Sequence, residues 1–266
     1  MTQPTADPPV LVTDRGAIRT VTLNRPTAFN SFDLALKRGL LDALEAAADR
    51  SVRAVVITGA GRAFCAGQDL KEHLALVAAN DERVGRTVRE FYNPVVRMLL
   101  GLRKPVIAAV NGPAAGAGTG LALACDLRVA AATATFSMAF AGVGLSADTG
   151  ASYLLPRYVG YGRASAMMLL GEKIDAAEAL RIGLVDRVVD DADLAGTVAG
   201  LADRLAAGPT QAYGWIKASL QHAASAGLES TLDVEDRAQT ACFASDDHRE
   251  AVAAFVGKRP PRFTGR

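Results

Sequence analysis

Apolar positions along the chain fall into two alternating patterns. Short runs rich in β-branched residues, at Val10–Val12, Ile18–Leu23, Val52–Thr58 and Val106–Val110, read as strands. The first two face each other across an Asp14-Arg15-Gly16 turn, and Asn24-Arg25-Pro26 ends the second. Phe32–Asp49 carries the other pattern. Its Phe32, Leu36, Leu40 and Leu44 fall four apart with charges elsewhere, which predicts an amphipathic helix capped by Asn30 or Ser31. This β-β-α-β opening predicts an α/β fold whose sheet has helices on one side. Lys71–Arg103 is largely helical in pattern, with Asn93-Pro94 expected to interrupt it. Leu127–Met138 breaks into short β-like pieces, Gly142–Gly150 is a loop, and Ala151–Val159 and Gly162–Leu170 are apolar helices. Asp175–Ile182 follows as a helix with Gly183 as its C-cap, and Val185–Val189 is a last strand. After Asp191 only helical periods remain: Asp193–Ala207, Pro209–Ala224, Thr231–Phe243 and Asp247–Phe255. The change of period predicts a loose tail over residues 1–9, an α/β core over 10–200 and a helical region over 201–266.

Two stretches of small residues stand out against this pattern. In Pro105–Asp126, a buried strand is stopped by Asn111-Gly112-Pro113, and Ala114–Gly120 then has almost no side chain before a helix at Leu121–Cys125. Gly59–Leu70, GAGRAFCAGQDL, repeats the arrangement of strand, small-residue turn and helix. Such turns expose backbone N–H groups and let a ligand approach them closely. Tight packing of a helix inside a core accounts for the same composition. Gly59-Ala60-Gly61 begins a dinucleotide fingerprint, but Phe64 stands where its third glycine is required, and there is no P-loop. The Asn-Gly-Pro break divides the uncharged Pro105–Cys125 run into two short segments, so a membrane span is not expected.

Charge and composition narrow the function. The net charge is +1, without the basic surplus that nucleic acid requires. The three cysteines, Cys65, Cys125 and Cys242, are odd in number and widely spaced, which predicts reduced thiols in a cytoplasmic protein. Residues 1–9 lack the basic start and apolar centre of a signal peptide. His73, His222 and His248 share no metal-ligand spacing, and no GxSxG elbow is present. Cys65 has no evident base and reads as a small buried hydrophobe; Phe140 and Trp215 read as core residues, and the basic residues of the tail as a solvated end. Asp148 and Asp69, each ahead of a helix, are capping residues on their spacing alone.

The segments Ala63–Leu70 (AFCAGQDL) and Asn111–Gly118 (NGPAAGAG) resemble the two oxyanion-hole motifs of the crotonase (enoyl-CoA hydratase/isomerase) family, in the right order and separation. The likeness runs from about Val10 to the end. It implies a spiral of β-β-α turns with a helical C-terminal region that forms homotrimers, often paired as hexamers, and an acyl-CoA thioester as ligand, with no metal or redox cofactor. It implies that the backbone N–H groups of Gln68 and Ala117 form the oxyanion hole. It further implies substrate or CoA contacts at Arg25, Ala28, Ala66, Gln68, Asp69, Leu70, Asn93, Gly116, Phe140, Phe255 and Lys258. Hydratases of the family use two glutamates, and this chain has Gly120 and Phe140 at those positions. Asp148 aligns instead with the acid used by isomerases. Phe91-Tyr92-Asn93-Pro94, Gly144-Leu145, Leu232–Glu235 and Lys258–Gly265 resemble the branch of ring-1,2-epoxyphenylacetyl-CoA isomerases, although Ala147 stands where that branch has proline. The resemblance therefore implies an acyl-CoA isomerase with Asp148 as its single base. A hydratase of fatty-acid or aromatic-acid degradation and a non-catalytic acyl-CoA-binding protein are the alternatives.

Overall fold

The computed structural model of the chain describes residues 7–266. Its strands, in chain order, are β1 (Val10–Arg15), β2 (Ile18–Leu23), β3 (Ala54–Gly59), β4 (Val106–Val110), β5 (Ala114–Ala115), β6 (Leu127–Ala131), β7 (Thr135–Ser137), β8 (Ile174–Asp175) and β9 (Arg187–Val189). The main sheet has the order β1-β2-β3-β4-β6-β9, and β5-β7-β8 form a small second sheet. β1 and β2 are an antiparallel hairpin, while every later pairing in the main sheet is parallel. Register aligns Leu23 with Gly59 and Thr58 with Ala109, so the carboxyl ends of β2, β3 and β4 stop along one edge. Both small-residue loops leave from that edge, where ligands of parallel sheets usually bind.

The helices are α1 (Leu34–Ala46), α2 (Leu70–Ala78), α3 (Arg83–Thr87), α4 (Asn93–Gly101), α5 (Ala117–Leu123), α6 (Ala151–Val159), α7 (Tyr161–Leu170), α8 (Ala176–Arg181), α9 (Leu194–Ala206), α10 (Thr210–Ala223), α11 (Leu228–Phe243) and α12 (Asp246–Val256). They cover both faces of the main sheet, not one. Val55 and Ile57 of β3 share a core with Leu36, Leu40 and Leu44 of α1 and Leu99 of α4. Ala54 and Val56, on the opposite face, pack with Leu194, Val198, Ala202 and Ala206 of α9. This is why all five residues of β4 are apolar and buried, as parallel sheets require. Residue 200, the expected division between core and helical region, falls inside α9, whose sheet-facing residues continue to Ala206.

Several local expectations change for physical reasons. Asp33, not Asn30 or Ser31, caps α1 by accepting from Leu36 N at 2.8 Å. Asn30 is drawn away by longer-range partners: its amide donates to Ala60 O at 2.9 Å and Ala63 O at 2.7 Å. The helical stretch after Lys71 breaks near Asn80, which has φ 51°, and not at Asn93-Pro94. At Pro94 the helix widens instead. Proline has no N–H and crowds the turn before it, and residues Val88–Tyr92 form a π-turn in which Asn93 N–H donates to Val88 O. The expected loose tail lies outside the described residues for positions 1–6. Pro8 and Pro9 are held, since Asn24 Nδ2 donates to Pro8 O at 3.0 Å and Asn24 N–H to Pro9 O at 2.7 Å. Among the described residues no helix is long and apolar enough to cross a membrane.

Candidate active site

The loop after β3 is fixed by two asparagines. Asn111 Oδ1 accepts from Gly59 N–H at 3.0 Å, and its amide donates to Gly61 O at 2.9 Å. Asn30 holds the Ala60 and Ala63 carbonyls from the other side. The loop then runs against the one after β4. Phe64 and Cys65 N–H donate to Pro113 O at 3.1 and 3.2 Å, and Ala115 N–H donates to Cys65 O at 3.0 Å. The expected small residues are thus needed for loop-on-loop contact. A β-carbon on Gly112 would lie 2.3 Å from Arg62 O, and one on Gly67 would lie 2.7 Å from Ala115 O.

The two peptide groups that the family resemblance implies, Gln68 and Ala117, lie within this packing. Phe32 pairs with the next segment through Phe32 N–H to Gly67 O at 2.7 Å and Asp69 N–H to Phe32 O at 3.1 Å. Successive peptide groups of an extended chain point opposite ways. Gln68 N–H therefore faces away from Phe32, and it has no acceptor among the described residues. α5 begins at Ala117, four residues earlier than the Leu121 expected from the sequence, so Ala117 N–H is the first free amide of that helix. Gly116 precedes it at φ 50° and ψ −119°, a conformation that needs glycine, and donates its own N–H to Ser137 O at 3.0 Å. The loops are adjacent here: a β-carbon on Gly67 would lie 3.5 Å from Ala117 N.

Asp148 lies in the loop that leads into α6, two residues ahead of the α6 N-cap. It caps no helix: the N-cap position of α6 is Gly150, and the Asp148 carboxylate accepts from the Thr149 hydroxyl at 2.7 Å. No cation pairs with it among the described residues. Burial pushes its carboxyl above the ordinary range, and the Thr149 bond offsets only part of that. Thr149 packs on Gly120, where a β-carbon would meet Thr149 Cβ at 2.7 Å. The space that a side chain at position 120 would need is thus filled by the segment that carries Asp148. Phe140 is buried, with its ring 3.8 Å from where a Gly116 β-carbon would be.

Tyr92 completes this group, and the sequence had marked it only as part of a motif. It is 3% exposed, and its hydroxyl donates to Gln68 Oε1. Burial and then the negative charge of Asp148 push its phenol far up, so it stays protonated. The available sequence signal was Pro94 within a helical pattern, directly after two aromatics. Asn93 is its half-buried neighbour at the start of α4.

The remaining expected contacts divide into two sets. Ala28, in the turn Pro26–Ala28, and exposed Ala66 are linked through Phe29, whose carbonyl accepts from Ala66 N–H at 3.0 Å. Leu70, the first residue of α2, is 50% exposed. Asp69 caps α2, accepting from Lys71 N–H at 3.0 Å and Glu72 N–H at 3.2 Å. Burial alone would raise Asp69, but those bonds and Arg25 hold it below the usual carboxylate range. Arg25 is committed inside the chain, to Asp69 at 2.9 Å, Asp33 at 3.0 Å and Ser31 O at 2.6 Å. Its guanidinium therefore braces the first loop. Phe255 is 85% exposed near the end of α12, which packs on α11, and Lys258 follows that helix. Cys65 is fully buried and its thiol is pushed up to about 12, so it is no thiolate near neutral pH. Among the described residues no cluster of His, Cys, Asp and Glu has the make-up of a metal site.

Comparison with known proteins identifies the family and the fold. The sequence profile described as enoyl-CoA hydratase/isomerase matches residues 13–266. The chain is 44% identical over 250 residues to the 1,2-epoxyphenylacetyl-CoA isomerase of Escherichia coli K12, covering 94% of this chain and 95% of that one. It is 35% identical over 252 residues to a short-chain-enoyl-CoA hydratase of Clostridium acetobutylicum, covering 94% and 95%. A crystal structure from Mycobacterium abscessus, described provisionally as an enoyl-CoA hydratase/isomerase, superposes with a TM-score of 0.93 at 45% identity, covering 97% of this chain and all of that one. The α/β spiral with its helical C-terminal region is the crotonase fold, and the chain belongs to the enoyl-CoA hydratase/isomerase family of enzymes.

Proposed function

We propose that the protein is an acyl-CoA isomerase that shifts a double bond, or rearranges a ring epoxide, in a coenzyme A thioester. The observation that carries this is the replacement of hydratase carboxylates by Gly120 and Phe140, with Asp148 held beside them on Thr149. The thioester oxygen sits between Gln68 N–H and Ala117 N–H. The Asp148 carboxylate takes a proton from the α carbon, and the electron pair moves into an enolate whose charge the two amides hold. Removing one such donor typically costs about 3 kcal/mol of barrier lowering. Protonated Asp148 then returns the proton two carbons along, and the double bond ends in conjugation. One base serves both transfers because it lies over one face of the acyl chain. In the double-bond shift only a proton is relocated, so that chemistry calls for no redox cofactor or metal. The cysteines are free thiols, in keeping with a reducing cytoplasm.

A hydratase would need a second group to activate water. Its β-carbon at position 120 already has no space beside Thr149. Supplying 3-enoyl-CoA and crotonyl-CoA separately, followed by mass spectrometry, tests the proposal. An isomer has unchanged mass, whereas a hydration product has gained water; water gain as the faster reaction would sink it. The pH profile gives a second check. Because the carboxylate is the active form and burial raises it, kcat should fall with decreasing pH at a point above the ordinary Asp value of 3.8. A limb at or below about 3.9 would contradict a desolvated base.

We also propose self-association as a trimer or a pair of trimers. Ile216, Leu220, Leu228, Leu232 and Phe243 leave large apolar side chains exposed along α10 and α11. Phe255 and Lys258 would then reach coenzyme A held by a neighbouring copy. Light scattering should give three or six times the chain mass of 27.7 kDa. A monomer at micromolar concentration would remove this part of the proposal.

A further inference from the structure

We propose that Tyr92 is a positioning residue for this reaction: it locks the Gln68 side chain and thereby holds the Gln68 peptide N–H toward the site. The inference rests on the oxyanion role assigned above to Gln68. The Tyr92 hydroxyl donates to Gln68 Oε1, and its ring packs on Phe32 with centroids 5.6 Å apart at 58°. Phe32 is the residue whose backbone grips Gly67 O and Asp69 N–H. The Phe32–Tyr92 pair therefore holds residues 67–69 twice, through the peptide on one side and through the side chain on the other. A backbone donor has no side chain to orient it, so its direction depends on such bracing.

The backbone around Tyr92 is shaped for this purpose. Tyr92 is the last residue of the π-turn, and a widened turn re-aims the side chains that follow it relative to a regular helix. Lys37 supports the turn from below. Its Nζ donates to Thr87 Oγ1 at 2.9 Å, pairs with Glu72 at 3.5 Å, and lies 5.4 and 6.0 Å from the Phe91 and Tyr92 ring centroids. A buried lysine and the π-turn thus frame the Tyr92 ring, and the acceptor of its hydroxyl belongs to Gln68.

Tyr92→Phe keeps the ring and removes the hydroxyl. The expected result is a drop in kcat of about tenfold, smaller than the 10²–10³ of losing an oxyanion donor outright, with KM within about twofold of wild type. Gln68→Met removes the acceptor at constant length and should give the same split. The double variant should be no slower than the slower single variant, because the two side chains act as one unit. Wild-type kcat in Tyr92→Phe, a rise in KM alone, or losses that multiply in the double variant would each overturn the proposal. Should Tyr92→Phe not fold, Gln68→Met still decides, since wild-type kcat there excludes the brace. Failure of the broader mechanism reads out separately, as retained turnover in Asp148→Asn.

Discussion

Asp148→Asn is expected to abolish measurable isomerisation, leave acyl-CoA affinity unchanged and raise the melting temperature. The first effect follows from removal of the only base in the proposed mechanism, and positioned general bases typically contribute about 10²–10⁴-fold. Affinity should survive because the amide is nearly isosteric with the carboxylate it replaces, and its carbonyl oxygen can still accept from Thr149 Oγ1, 2.7 Å away in the native site. The third effect is a matter of linkage. A carboxyl whose pKa is raised by burial binds its proton more tightly folded than unfolded. Its contribution favours folding at low pH and is lost as pH rises through the raised folded value. Near neutrality the native state thus holds a desolvated charge with no ion-pair partner among the described residues, and an uncharged amide removes that cost. Each kcal/mol recovered appears as about 2–4 °C in Tm for a chain of this size. Activity assays, binding of a non-reacting acyl-CoA and thermal melts at pH 7 check all three. A less stable variant that also loses turnover would place Asp148 in a structural role, and full turnover would remove it from the mechanism.

Much of this was legible in the sequence, and the limits were physical. The Leu36, Leu40 and Leu44 face and the β-branched run Val106–Val110 gave helix and strand directly, because each pattern has one burial solution. The two small-residue loops were visible as unusual, and family resemblance named their use. Their contact with each other was not visible, since it depends on Cys65 meeting Pro113 and Ala115 across about fifty intervening residues. The α1 cap was misplaced for a similar reason: Asn30 is a good local cap, but the distant carbonyls of Ala60 and Ala63 outcompete the helix for it. α9, which covers the second face of the sheet, comes too late in the chain for the opening β-β-α-β pattern to announce it. Tyr92 was hidden because proline in a helical pattern signals a break, and here the helix answers by widening.

Gly118→Ala should destabilise the protein, although helix propensity alone predicts the opposite. Gly118 lies inside α5, where alanine in place of glycine ordinarily gains about 1 kcal/mol. Its new β-carbon, however, would lie 2.1 Å from Cys65 O and 2.8 Å from Cys65 C. The obstacle is backbone, so no rotamer change relieves it. That backbone is also pinned, by Ala115 N–H to Cys65 O at 3.0 Å and by Phe64 and Cys65 N–H to Pro113 O at 3.1 and 3.2 Å. Overpacking of this kind costs about 1–3 kcal/mol and occasionally more, and a pinned carbonyl places the change at the upper end. The net loss should exceed the propensity gain and lower Tm by several degrees, at about 2–4 °C per kcal/mol. The relief available is to move the 64–68 segment away from α5, which separates Gln68 N–H from Ala117 N–H. Turnover should therefore fall even at temperatures where the variant is folded. Gly142→Ala is the matched control, because nothing lies within 4 Å of its β-carbon, and it should stay within about 0.5 kcal/mol of wild type. If Gly118→Ala instead melted higher and kept full activity, the two loops would not touch at Cys65 and the shared oxygen site built on that contact would have no frame.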